Sequence, residues 1–184
     1  MTNPNDPHGM WPMPENQRDP NWLAAKAAGE AFFSSHFTPM QIPFKRLHPA
    51  AKPPSRVNHE DAGSDLYALN DPDVSRPLYP GERRLFDTGI AMEIPPGHYG
   101  HICDRSGQAL KRGLHVLGGV VDSPFRGSVG IILLNTSQDP VWVEAGERIA
   151  QIIIKRHESP EFVETESLDE TARAAGGFGS TGTT

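Results

Sequence analysis

The chain has 184 residues, with 17 Lys and Arg set against 23 Asp and Glu for a formal net charge of −6. That balance, with no Lys/Arg run longer than two, excludes stable nucleic-acid binding through a broad basic face, so an anionic ligand must be held by a few placed basic groups. Cys103 is the only cysteine, so no intrachain disulfide forms and a reducing, cytoplasmic setting is expected. The first residues lack the basic and apolar regions of a secretory signal, and no apolar run has the length of a membrane span.

Residues 1–40 form an extension rich in Pro and Asn, expected to be largely disordered. Within it Asn21 suits the cap of a short helix over 21–33, with Trp22, Leu23, Phe32 and Phe33 as its apolar side. From residue 41 short β-prone runs alternate with Pro/Gly turns: 41–47, 83–86, 90–94, 99–103, 129–134, 141–143 and 149–155. Pro95-Pro96-Gly97 and Glu144-Ala145-Gly146-Glu147 read as turns. This spacing predicts an all-β sandwich, barrel or jelly roll over 41–168, followed by a flexible C-terminal arm over 169–184. G-x-x-x-x-G-K-[ST] is missing, and the one G-x-G-x-x-G match, Gly177 to Gly182, falls in the glycine-rich end and not between a β-prone run and a helical one, which argues against the Rossmann and P-loop solutions to nucleotide binding.

Five segments carry polar chemistry. Ala62-Gly63-Ser64-Asp65-Leu66 places a carboxylate after a small, flexible turn, where it is either an ordinary turn aspartate or a holder of one water on a hard cation such as Mg²⁺. In Asp104-Arg105-Ser106-Gly107 the serine is placed to cap a short helix whose free N–H groups, with Arg105 beside them, suit a phosphate. Gly118-Gly119-Val120-Val121-Asp122-Ser123-Pro124-Phe125-Arg126-Gly127 reads as a glycine-bounded hairpin. Its acid, Asp122, stands at a strand end and can take a proton from water, and Phe125 offers a flat wall. Gln151 interrupts the apolar run after Gly146 and needs a partner, either backbone or ligand. Finally, Arg173 and Phe178 stand in the glycine-rich end Ala174-Ala175-Gly176-Gly177-Phe178-Gly179-Ser180, a combination suited to closing over a phosphate chain and a base.

Singly these segments are weak signals, but their order is specific. The chain resembles the trimeric dUTP diphosphatase (dUTPase) family, known by five short motifs in fixed order, here at 62–68, 105–113, 119–127, 146–153 and 173–182. The resemblance runs from about residue 41 to 182 and leaves the first 40 outside it. It implies a distorted jelly-roll β-barrel of the dUTPase-like β-clip type and a homotrimer with composite active sites. It also implies hydrolysis of dUTP to dUMP and diphosphate with Mg²⁺, which keeps uracil out of DNA and supplies dUMP for dTTP synthesis. Asp122 matches the general base that activates water against the α-phosphorus, and a carboxylate of ordinary pKa is ionised at neutral pH. Arg105, Ser106 and Gly107 match the phosphate motif, Gln151 a polar contact near the α-phosphate, and Asp65 an orienter of water on a Mg²⁺ held mainly by substrate phosphates. Arg173 would reach the γ-phosphate, with Phe178 over uracil and Gly179 and Ser180 adding contacts. The backbone of Gly119, Val120 and Val121 would pair with uracil, Phe125 would wall the sugar against a 2′-hydroxyl, and Gly130 would leave room for the base.

Four positions depart from the family pattern: Phe125 replaces a usual tyrosine, Ser123-Pro124 replaces acidic or small residues, and Ala174 stands where glycine is common. None removes a catalytic group. The dCTP deaminases share the fold, but their catalytic glutamate falls at Ile132, which cannot act as a base. A regulatory nucleotide-binding module of the phage type is the other alternative, with the extension as a surface for a protein partner. His98 and His101 lack acidic or thiolate companions and read as packing rather than as a zinc site, and Cys103 reads as a buried small residue.

Overall fold

A computed structural model of the chain describes residues 39–69 and 77–175, together with the single positions Ala24, Ala27 and Ala28, which are helical. The rest of the expected 21–33 helix lies outside the described residues, as do Phe178, Gly179 and Ser180.

Among the described residues from 39 on, nine strands and one helix follow in order: β1 (Phe44–Arg46), β2 (Ser64–Tyr67), β3 (Arg83–Asp87), β4 (Ile90–Met92), β5 (His98–Cys103), α1 (Ser106–Arg112), β6 (Leu114–Leu117), β7 (Val120–Val121), β8 (Gly130–Asn135) and β9 (Arg148–Arg156). They form a four-stranded sheet β2-β9-β5-β7, a three-stranded sheet β3-β8-β6 and the pair β1-β4. Every pairing is antiparallel. This is the all-β jelly-roll architecture the strand spacing predicts.

The alternation along each strand sets the core. On β9, Ala150 and Ile152 point inward, and on β8, Ile131, Leu133 and Asn135 do. Ala150, Ile152, Ile131 and Leu133 meet Leu66, Phe86, Ile90, Ile94, Ile102, Leu114 and Val129 in one apolar cluster. Each fully buried Leu, Ile or Phe contributes about 1.5–3 kcal/mol, so this cluster is the main stabilising element. Asn135 is wholly buried and wholly satisfied: its Nδ2 donates to the carbonyls of Leu78 and Asp139, both at 2.8 Å, and its Oδ1 accepts from the N–H of Ser137 at 2.9 Å.

Three expectations change. The run 141–143 makes only an isolated bridge, Leu78 to Val141, because its neighbour is a loop and not a strand. The segment 62–66, expected to place Asp65 after a small, flexible turn, instead leads into a strand over Ser64–Tyr67, which pairs with β9 across a register that sets Asp65 opposite Gln151. The 41–47 run shortens to three residues, all exposed, at the edge against β4.

Candidate active site

The helix α1 begins at Ser106, and the residue in the cap position is Arg105, with extended backbone and no capping side-chain bond. Ser106 is therefore the first helical residue and not its cap; its hydroxyl is not spent on the helix N–H groups. The helix stops at Gly113, whose φ of 64° only glycine adopts at low cost and whose N–H returns to the Ala109 carbonyl at 3.1 Å.

With the cap position extended, the Arg105 side chain reaches back over β2. Its Nε donates to Asp65 Oδ1 at 2.7 Å, and its Nη1 lies 3.4 Å from the Arg148 carbonyl. Arg148, the first residue of β9, donates from Nη1 to the other carboxylate oxygen, Asp65 Oδ2, at 3.2 Å. The Asp65 side chain is 12% exposed, so this carboxylate is largely withdrawn from water and held between two guanidiniums. Gln151 faces it across the sheet and donates its amide to the Asp104 carbonyl at 2.8 Å, so the partner its position demanded is backbone. Asp65, Gln151 and Cys103 stand in one row across β2, β9 and β5. Cys103 is half-buried in that row rather than fully buried.

A buried amide braces this cluster. Gln108 donates to Glu147 Oε1 at 2.7 Å and to the Arg148 carbonyl at 3.0 Å, and accepts from Arg112 Nη1 at 3.0 Å. Arg112 also bonds Glu147 and the Trp142 carbonyl. The helix that carries Ser106 and Gly107 is thus tied to the turn that carries Arg148. Neither Gln108 nor Arg148 was singled out from sequence, because only the β2–β9 register and the helix docking reveal their partners.

The hairpin half lies elsewhere. Gly118 and Gly119 take φ of 84° and 67°, which turns β6 sharply into β7. Gly119 O accepts from Ile102 N at 2.8 Å. By antiparallel alternation the N–H and C=O of Val120 then point away from β5, and β7 ends its sheet, so this pair faces outward without a strand partner. Asp122 follows at once and is exposed. Phe125 is 45% exposed and its ring covers Gly127, where a Cβ would stand 2.7 Å from Cζ. Gly130 sits opposite Asp87, and the space a Cβ would take is filled by Leu85 Cδ1, 2.6 Å away. Within the chain its small size lets the Leu85 side chain lie across it.

β2 and β7 are opposite edges of one sheet, three strand spacings or about 14 Å apart. The chain therefore brings Asp65, Arg105, Gln151 and Arg148 together and holds Val120, Val121, Asp122 and Phe125 away from them. Arg173 is exposed on the segment beyond β9, within a turn over 172–175 in which Ala174 takes a left-handed φ of 44°. His98 and His101, an odd number of residues apart on β5, fall on opposite faces of the sheet. Among the described residues no group of three or more His, Cys, Asp or Glu stands together as a metal cage, and no helix is long and apolar enough to cross a membrane. A groove of about 610 Å³ lined by Met40, Ile42, Phe44, Arg56, Met92 and Ile154 opens on the other face of β9 from Gln151.

These features define an all-β protein in which two arginine side chains converge on one carboxylate. A family model described as dUTPase matches residues 50–182. The deoxyuridine 5'-triphosphate nucleotidohydrolase of Methylocella silvestris is 48% identical over 148 residues, covering 78% of this chain and 92% of that protein. The cowpox virus protein of the same name is 46% identical over 132 residues, covering 72% of this chain and 86% of its own. Among solved structures, the Staphylococcus bacteriophage 80alpha dUTPase with dUPNHPP superposes with a TM-score of 0.66 at 26% identity, covering 77% of this chain and 98% of that one. The chain belongs to the dUTPase family, and is an enzyme of nucleotide metabolism of the hydrolase class.

Proposed function

We propose that the protein hydrolyses dUTP to dUMP and diphosphate, and that the working unit is a homotrimer in which each site joins the arginine cluster of one copy to the hairpin of another. The observation that carries this reading is the placement of the two half-sites on opposite edges of one sheet, each chemically complete for its part and lacking the other. Leu85, Val120 and Trp142, at 63%, 61% and 54% exposure, are apolar side chains open to a neighbouring copy.

In this reading the outward C=O and N–H of Val120 pair with the polar edge of uracil, flanked by Gly119 and Val121, and the narrow Gly118-Gly119 turn has no space for a 5-methyl group. Phe125 packs against the deoxyribose, where a 2′-hydroxyl would be buried without a partner. Arg105, with the Ser106 hydroxyl and the Gly107 N–H at the start of α1, takes the phosphate chain, and Gln151 swings from Asp104 to the α-phosphate. The Asp122 carboxylate accepts a proton from water as that water's oxygen bonds the α-phosphorus. The bond from that phosphorus to the bridging oxygen breaks, and diphosphate leaves. Residues 169–184 close over the site, with Arg173 on the γ-phosphate, Phe178 on the base, and Gly179 and Ser180 adding contacts.

Mg²⁺ fits this donor set as an ion held mainly by substrate phosphates, because Asp65 retains one lone pair per oxygen for a metal-bound water but offers no cage. When bound it supplies neutralisation of phosphate charge.

Diphosphate release from dUTP, dCTP, dTTP and UTP tests the reading. Fast release from dUTP alone is expected; equal release from UTP or dTTP would remove the hairpin's role, and no release from any would remove the activity.

A further inference from the structure

Arg148 has no role in the reading above, yet its placement is specific. A carboxylate facing an arginine ordinarily takes two parallel N–H bonds, one per oxygen. Arg105 does not bind Asp65 that way: it uses Nε on Oδ1 alone, while Arg148 Nη1 donates to Oδ2. The remaining edge of the Arg105 guanidinium has only the long 3.4 Å contact from Nη1 to the Arg148 carbonyl, and Nη2 has no hydrogen bond among the described residues. One carboxylate beside two guanidiniums leaves the cluster with a net positive charge.

We infer that Arg148 is a positioning residue that acts through Asp65: by holding the second oxygen it keeps Arg105 singly tethered, with its terminal nitrogens available to a phosphate. Without Arg148, Arg105 rotates into a two-point clamp on Asp65 and is withdrawn from the ligand. The Arg148 carbonyl is itself fixed by Gln108, so the residue that frees Arg105 is anchored by the helix that begins beside it. This inference rests on the proposal that Arg105 binds phosphate.

A double-mutant cycle tests it on the full-length protein, with affinity for a non-hydrolysable imido analogue of dUTP measured by calorimetry in chelator, so that neither turnover nor metal enters. Arg148→Gln is expected to weaken binding about tenfold, the scale of one charge-assisted hydrogen bond. Arg148→Lys, which still reaches Oδ2 with one donor, restores most of it. In an Asp65→Asn background, where no carboxylate competes for Arg105, Arg148→Gln has no further effect. A purely structural Arg148 would lower thermal stability without this dependence on Asp65. Unchanged affinity in Arg148→Gln overturns the inference, as does an equal loss in both backgrounds, which would make Arg148 a direct ligand contact. Arg105→Ala serves as the separate control: if it binds the analogue normally, the phosphate assignment of Arg105 fails and the inference falls with it.

Discussion

Gly63→Ala is the smallest change that reaches the centre of the site. A Cβ on Gly63 would stand 2.1 Å from Gln151 Oε1 and 2.8 Å from its Cδ, closer than any real contact. The backbone at Gly63 is not left-handed, so alanine adds no strain there and the whole penalty falls on Gln151. The amide must swing away and give up its 2.8 Å bond to the Asp104 carbonyl. Losing that bond and leaving the half-buried carbonyl unpaired costs about 1–2 kcal/mol, which in a chain of this size lowers Tm by roughly 2–8 °C. Because the same amide is assigned to the α-phosphate, kcat/KM for dUTP should fall about 10- to 100-fold. Differential scanning calorimetry and steady-state diphosphate release read the two effects. Gly63→Ala combined with Gln151→Ala leaves only a 3.2 Å contact to the Gln151 Cβ, so the pair should match Gln151→Ala alone. Wild-type Tm and kcat/KM in Gly63→Ala, or fully additive losses in the pair, would refute the reasoning.

Asp122→Asn keeps the shape of the exposed hairpin end and removes the base, so turnover should drop by at least about a thousandfold while analogue affinity stays within about threefold; near-normal kcat would exclude Asp122 as base. Truncation before Arg173 removes most of the arm, and kcat/KM should fall while Tm is unchanged, since the described residues it removes, 173–175, are exposed; an unaltered kcat/KM would show that this stretch has no part in the chemistry. The Asn58 N–H and side chain hold the Asp61 carboxyl below its ordinary value, so this turn's contribution is present above the unfolded pKa and is lost as pH falls through the folded one. Resonances of residues 58–61 followed by NMR should therefore titrate below the usual aspartate range; a midpoint at the ordinary value would show the turn does not hold the carboxylate.

The elements legible in the sequence were those whose signal is local. The runs behind β3, β5, β8 and β9 are long enough for their apolar pattern to speak, and Gln151 announced a need for a polar partner simply by interrupting one of them. Strand β2 was not legible because four residues, Ser64-Asp65-Leu66-Tyr67, carry too little alternation, and their partner strand lies more than eighty residues along the chain. The same distance hid the role of Arg148, whose meaning depends on facing Asp65. Ser106 looked like a cap from residue type alone; the extended backbone at Arg105 displaced it by one position, and that displacement turns the arginine toward Asp65. The resemblance implied composite sites, but which motifs share one chain's half follows only from the sheet order, which no linear pattern records.

Mixing two inactive variants tests the composite site most directly. Asp122→Asn retains the arginine cluster and Arg105→Ala retains the hairpin, so neither homotrimer has an intact site. Unfolded together at equal concentration and refolded, they should recover about one quarter of wild-type dUTP hydrolysis, the fraction of subunit interfaces that join two intact halves in a random mixture. A mixture no more active than either variant alone would mean that both halves act within one chain, contradicting the account.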